Sequence, residues 1–173
     1  MPAPYYKHTE VVAEDCIAEY CFIDTEPLRR QHACPSTSSL ANDQLQWLAH
    51  ELASSRAQWK IVVGHHPVFS GGRRQGTPAL HEWVVPLLER YGVQVYLSGQ
   101  THALEHLAVG SVHYLVSGAG ADPRRAAATT GSRFVAGDRL GFLLMGLTPT
   151  DVHVEFQDEG GVSLYRARIS RSS

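Results

Sequence analysis

Two histidine-containing segments could do chemistry in this sequence. The first is Gly-His-His-Pro at residues 64–67, directly after the apolar run 61–63, and the second is Gly-Gln-Thr-His at residues 99–102, directly after the apolar run 93–97. Short apolar runs of this kind predict buried strands. Polar residues just beyond the ends of such strands usually line the ligand crevice of an open α/β sheet. We therefore predict that the imidazoles converge on one site, as a metal centre requires.

The composition is that of an ordinary globular protein. Of the 173 residues, 43% are hydrophobic and 18% are charged, which suits one domain with a real core. The formal net charge of −2 predicts no nucleic-acid partner and no polybasic membrane anchor. No apolar run approaches the ~20 residues that span a bilayer, and the first residues have no signal-peptide pattern. We expect a soluble chain and leave its compartment unassigned.

The cysteine pattern argues against a disulfide framework. Cys16, Cys21 and Cys34 make an odd count at irregular spacing, which also argues against a zinc ribbon. Cys21 lies within an apolar run and is predicted to be a small core residue. A single bridge between Cys16 and Cys34 stays open.

The order of predicted elements is α/β changing to α+β. In the first half we predict an extended entry at 1–19, a strand at 19–25, a loop at 26–39, a helix at 42–57 and a strand at 60–63. A second helix begins at Thr77-Pro78, is kinked by Pro86 and ends at Gly92. Strands are predicted at 93–97, 103–108, 111–117, 141–147, 152–156 and 163–169, with a flexible loop at 121–138.

Short stretches spaced along nearly the whole chain carry a family resemblance. They are residues 1–6 (MPAPYY), 23–25 (IDT), 44–48 (QLQWL), 64–70 (GHHPVFS), 86–93 (PLLERYGV), 96–99 (YLSG), 116–120 (VSGAG) and 141–142 (GF). Any one of them is a weak signal. All of them in order resemble the C-terminal half of the purple acid phosphatases, especially the short tartrate-resistant type.

The resemblance implies a calcineurin-like metallophosphoesterase fold, in which two mixed sheets pack face to face with helices outside. It implies that residues 1–173 form a single partial domain, because the N-terminal half of the family fold has no counterpart here. It also implies a dinuclear metal centre, iron paired with iron, zinc or manganese, that hydrolyses phosphate monoesters.

The metal-ligand positions follow from the same resemblance. His65 takes the position of a ligand to the divalent metal, and His102 takes that of a ligand to the ferric ion. Gln100 stands where the family has a further histidine. A neutral amide oxygen is a weaker ligand than imidazole for zinc or iron, so we expect affinity at that position to fall at least ~10- to 100-fold.

The carboxylate ligands of the family are not found in the sequence. Neither an early aspartate motif, nor Gly-Asp-x-x-Tyr, nor Gly-Asn-His precedes or follows the matching segments. A two-metal site needs carboxylates and a bridging group to hold the ions ~3.5–4 Å apart. We therefore expect metal occupancy and activity to be impaired in this chain alone.

Two further residues are candidates for catalysis. His66 follows the ligand position, where it either lines the site or packs in the core. Arg74, with its neighbour Arg73, lies in the loop where relatives place a substrate-facing histidine, and an arginine there could hold a phosphate oxygen by a charge-assisted hydrogen bond. The alternative for these arginines is a solvated pair. His65 and His102 have similar alternatives, as a cap of a strand-end loop and as a surface residue in a tight turn.

The resemblance implies a metal-dependent phosphomonoester hydrolase of the acid phosphatase lineage, incomplete or impaired as this chain alone. The alternative is a non-catalytic pseudophosphatase or protein-interaction fragment, and a third hypothesis is a mononuclear zinc or iron protein that uses His65 and His102. The expected substrate is a phosphate monoester. If the half-fold leaves an apolar sheet face uncovered, we expect self-association or binding of the missing N-terminal half.

Overall fold

The structure is a computed structural model that describes residues 4–30, 35–73 and 75–171. The strands are β1 Tyr6–Ala13, β2 Cys16–Ile23, β3 Trp59–Gly64, β4 Val95–Ser98, β5 Leu104–Val109, β6 Val112–Ser117, β7 Ser132–Ala136, β8 Gly141–Leu147, β9 Asp151–Asp158 and β10 Ser163–Ser170. The helices are α1 Thr25–Arg30, α2 Pro35–Ser54, α3 Pro78–Trp83 and α4 Val85–Arg90.

The strands form two sheets. Seven of them make a mixed sheet in the order β1-β2-β3-β4-β6-β5-β7, and the other three make an antiparallel sheet in the order β10-β9-β8. Strands β2, β3, β4 and β6 run parallel to one another in the middle of the large sheet. Their carboxyl ends therefore meet at one edge, where a ligand crevice is expected.

Both faces of the large sheet are covered. Helix residues such as Leu48 and Leu88 pack with Tyr96 and Tyr114 on one side, and Phe156 of the small sheet packs with the inner-face residues of the large sheet on the other. The indole N–H of Trp59 donates to the Thr148 carbonyl at 2.7 Å, which ties the sheets together. The predicted fold class, a mixed β-sandwich flanked by helices, is confirmed.

The N-terminal prediction was wrong in two places. The predicted extended entry is a β-hairpin, because Tyr6–Ala13 pairs antiparallel with Cys16–Ile23. The predicted loop at 26–39 is largely helical over its described residues, since α1 and the start of α2 occupy it. The Asp24 carboxylate accepts from the Glu26 N–H at 3.0 Å, and both backbone polar groups of Asp24 bond the Gln44 side chain. The Asp24 cap and the contact between Asp24 and Gln44 thus favour a helix here despite the turn-rich composition.

The predicted kink at Pro86 is confirmed. The helical path breaks at Val84, between α3 and α4, because Pro86 has no N–H to donate to the preceding turn. The loop at 121–138 departs from the prediction, since it contains β7, which pairs with β5. Its earlier part makes backbone hydrogen bonds to the loops that follow β3 and β4.

Helices and the small sheet cover both faces of the large sheet, whereas Phe142 and Leu144 on β8 of the small sheet are exposed. Self-association stays a prediction. Among the described cysteines, Cys16 and Cys21 are buried free thiols, whereas Cys34 lies outside the described residues. None of the described helices has the length and apolar character needed to span a membrane.

Candidate functional site

The loops that carry the two histidine segments are neighbours, while the convergence of their imidazoles on one site stays a prediction. The first follows β3 and the second follows β4, which are parallel neighbours in the large sheet. The Gly99 N–H donates to the His65 carbonyl at 3.2 Å, so the two loops are joined directly beyond the strand ends. The His65 side chain is exposed at this edge.

Gly64 allows the close packing beneath these loops. A Cβ at this position would lie 2.4 Å from the Tyr96 hydroxyl and 2.7 Å from a methyl group of Thr25. The Tyr96 hydroxyl donates to the His66 carbonyl at 2.9 Å. Complete burial raises the pKa of Tyr96 well above its ordinary value, so this hydroxyl keeps its proton.

His66 is held in the interior rather than presented to solvent. Its side chain is 7% exposed, and its Nδ1 lies 2.7 Å from the Thr25 hydroxyl oxygen. That hydroxyl oxygen also accepts from the His66 N–H at 3.1 Å, and the His66 Nε2 lies 3.6 Å from a Glu26 carboxylate oxygen. These contacts link β3 to α1 and favour the packing alternative, while the catalytic role of His66 stays a prediction.

His102 has a defined tautomer when it is neutral. Its Nδ1 lies 2.7 Å from the Asp122 carbonyl oxygen. Since a carbonyl only accepts, Nδ1 must carry the proton, and Nε2 keeps the lone pair that a metal ion or an acidic proton would use. The same arrangement, a backbone acceptor behind one ring nitrogen, orients the histidine ligands of metal sites.

Gln100 has an unusual backbone conformation. Its φ is +57°, in the left-handed region that non-glycine residues seldom adopt. Such strain persists only where the surrounding structure enforces it, and it concentrates at functional sites. The strained turn is therefore the one in which Gln100 stands in place of the histidine that the resemblance implies.

The described residues do not fit a dinuclear metal centre. No group of three or more His, Cys, Asp or Glu side chains within 4–30, 35–73 and 75–171 is placed to hold a metal ion. His65, Gln100 and His102 offer two imidazoles and an amide, with no carboxylate among them to offset the charge of two metal ions. The three predicted metal positions thus stay predictions.

A cavity of about 430 Å³ opens beside two of the predicted positions. It is lined by Gly72, Arg73, Gln100, Thr101, His102, Arg124 and Arg125. His65 is not among the lining residues, and Arg74 lies outside the described residues. Arg73, for which the sequence leaves open a phosphate-binding or a solvated role, thus meets Arg124 and Arg125, which come from a loop distant in sequence, at one cavity.

A buried carboxylate fixes one wall of this cavity. Glu105 on β5 is fully buried and accepts from the Ser70 hydroxyl and from the Gly71 N–H, each at 2.6 Å. The Gly72 N–H donates in turn to the Ser70 hydroxyl oxygen at 2.9 Å. Burial raises the pKa of Glu105, an effect that the two hydrogen bonds oppose. Sequence reasoning missed this residue because it lies in a predicted hairpin strand.

The fold is that of a phosphoesterase. Residues 15–104, more than half of the chain, match the family model described as calcineurin-like phosphoesterase, and the chain belongs to that family. Acid phosphatases are among its curated relatives. The chain is 32% identical to human tartrate-resistant acid phosphatase type 5, over 98% of this chain and 58% of the relative. It is 31% identical to purple acid phosphatase 17 of Arabidopsis thaliana, over 87% of this chain and 50% of the relative.

Solved structures show the same fold. The chain superposes on GAP50 of Plasmodium, the anchor in the inner membrane complex, with a TM-score of 0.86 at 24% identity, over 100% of this chain and 56% of that one. For the purple acid phosphatase PPD1 of yellow lupin the TM-score is 0.77 at 18% identity, over 97% of this chain and 33% of that one. The chain spans about half the length of the curated relatives it matches.

Proposed function

We propose that the protein belongs to the phosphomonoester hydrolases of the acid phosphatase lineage and that this chain alone is impaired as a catalyst. The observation that carries the proposal is His102, whose Nδ1 bonds the Asp122 carbonyl and whose ring borders an arginine-lined cavity. A ring fixed in this way beside guanidinium groups suits the binding of a phosphate ester next to a metal ligand or proton donor.

The proposed roles of the chain's residues are limited to binding and positioning. His65, His102 and Gln100 are the proposed metal positions, and a metal bound there would supply charge stabilisation and an activated water. Full occupancy by two metals needs carboxylates beyond this set, which is why we propose impairment. The expected substrate is a phosphate monoester, as the names of the relatives suggest.

The test is metal content by mass spectrometry on protein purified without chelators, with p-nitrophenyl phosphate turnover on the same sample. We expect fewer than two metals per chain and weak turnover that EDTA and the His102→Ala substitution abolish. His153→Ala is the matched control, because His153 is exposed on the small sheet. Turnover that survives both EDTA and His102→Ala would refute the proposal.

The second candidate is a non-catalytic member of the family. It is favoured by Gln100 in place of an imidazole and by the lack of a three-ligand group in the described residues. Protein that binds no metal and gives no turnover at any metal concentration would decide for this candidate. Two metals per chain with turnover lost in His65→Ala would decide against both this candidate and the proposed impairment.

A further inference from the structure

The cavity beside His102 concentrates positive charge from two distant parts of the chain. Arg73 follows β3, whereas Arg124 and Arg125 lie between β6 and β7. Fifty residues therefore separate the two arginine-bearing segments in sequence. Their meeting at one cavity is a product of the fold.

Two of these three charges have no counter-ion among the described residues. Asp122 neutralises Arg124, whose guanidinium donates to the Asp122 carboxylate at 2.7 and 3.0 Å. Neither Arg73 nor Arg125 makes an ion pair or a side-chain hydrogen bond within 4–30, 35–73 and 75–171. Within the described part of the chain the cavity thus carries two uncompensated charges, which equals the charge of one phosphate dianion.

The arginine-bearing loop is fixed by backbone contacts before any ligand binds. The Arg124 N–H donates to the His102 carbonyl at 2.7 Å, and the Ala127 N–H donates to the Gly71 carbonyl at 2.9 Å. A Cβ on Gly71 would lie 1.7 Å from the Ala127 carbonyl oxygen, so the two loops touch where only glycine fits. A loop held in this way has less entropy to lose on binding.

We propose that this cavity binds the dianionic phosphate group of a monoester through Arg73 and Arg125, without a metal ion. The proposal rests on the proposed function, whose substrate class it makes specific. Guanidinium groups bind phosphate oxygens by paired charge-assisted hydrogen bonds. Phosphate itself fills only part of about 430 Å³, and the remaining volume accommodates the esterified alcohol. A monoanionic diester or a carboxylate would leave one arginine charge uncompensated.

The test is calorimetric titration of the full chain with inorganic phosphate at pH 8, in the presence of EDTA. We expect saturable binding that weakens about tenfold or more in the Arg73→Gln/Arg125→Gln double variant, because two charge-assisted contacts are lost. Arg56→Gln/Arg171→Gln is the matched control, since it removes the same charge from exposed positions outside the cavity. Dimethyl phosphate, a monoanion, should bind at least about tenfold more weakly than phosphate.

The outcomes separate this inference from the proposed function. Absence of phosphate binding in EDTA, or equal weakening in the cavity and control variants, would overturn the arginine site and leave the metal-dependent activity untouched. Binding that appears only when metal is added would overturn it in the same way. Binding in EDTA by protein that never turns over p-nitrophenyl phosphate would support the arginine site and count against the hydrolase.

Discussion

The Glu105 carboxylate accepts a 2.6 Å hydrogen bond from the Ser70 hydroxyl in a fully buried position. Ser70 precedes the loop that carries Arg73, whereas Glu105 lies on β5, near one end of the large sheet. The Glu105 carboxylate therefore connects β5 to the wall of the cavity. A buried carboxylate with two donors aimed at it is costly to remove, because both donors lose their acceptor.

Replacing Glu105 with alanine should therefore lower the free energy of unfolding by roughly 3 kcal/mol, with a smaller loss for Glu105→Gln. Urea denaturation measures the effect, and Glu159→Ala in an exposed turn is the control. Phosphate affinity should fall in the same variant, because the hydrogen bonds from Ser70 and Gly71 that hold the cavity wall at Gly72 in place are lost. An unfolding midpoint equal to that of the control would mean that Glu105 does not hold the loop.

Stability should depend on pH through a histidine pair between the sheets. His106 is 2% exposed. Its Nε2 lies 2.9 Å from the His113 Nδ1, and its Nδ1 lies 3.1 Å from the Tyr165 hydroxyl. Burial, followed by the charges of His113 and Arg133, lowers the pKa of His106 to about 4, and burial and Arg133 also lower that of His113.

The direction in which stability changes with pH follows from proton linkage. The unfolded chain binds protons near the ordinary histidine pKa of about 6.5, whereas folded His106 stays neutral until about pH 4. Stability is thus complete above pH ~6.5 and falls by roughly 1 kcal/mol per pH unit down to pH ~4. Urea midpoints between pH 4 and 8 measure the slope, which should flatten in His106→Phe and persist in His153→Phe. An unchanged slope in His106→Phe would exclude this pair as the cause.

Restoring an imidazole at position 100 should strengthen metal binding. We expect Gln100→His to raise the affinity for Zn²⁺ at least ~10-fold, since imidazole is a better zinc ligand than an amide. Histidine tolerates the left-handed conformation better than most residues do. The matched control is Gln75→His, because Gln75 is also at positive φ but is exposed and outside the cavity lining. Zinc titration should separate the two variants, and equal affinities would remove position 100 from the metal site.

Gly64→Ala should destabilise the strand end that carries the histidines. The added Cβ would meet the Tyr96 hydroxyl, and displacing it breaks the bond to the His66 carbonyl. We expect a loss of about 1–3 kcal/mol in the free energy of unfolding, with partial recovery in Gly64→Ala/Tyr96→Phe. Gly146→Ala is the control, because its Cβ would have no neighbour closer than 4.0 Å. Equal unfolding midpoints for Gly64→Ala and Gly146→Ala would contradict the close contact.

The central parallel strands and the neighbouring histidine loops could be predicted because local patterns encode them. Apolar runs fix the strands, and polar residues after them fix the edge at which His65 and His102 lie. The helix at Thr25 could not be predicted in this way, because its start depends on a contact with Gln44, twenty residues away. The cavity was missed for the same reason. Arg124 is held beside it by a hydrogen bond from its backbone N–H to the His102 carbonyl, a long-range contact that composition does not reveal.

The backbone bonds from Arg124 to His102 and from Ala127 to Gly71 involve atoms that every residue type except proline possesses. The Arg124 side chain adds an ion pair with Asp122 to this frame, whereas the Arg125 side chain makes no ion pair among the described residues. The side chain at position 125 can therefore change to an acidic, aromatic or apolar one while the backbone bonds keep the loop in place. The ligand that this sheet edge recognises can therefore change through the side chains of the loop, while the fold that holds the loop stays the same.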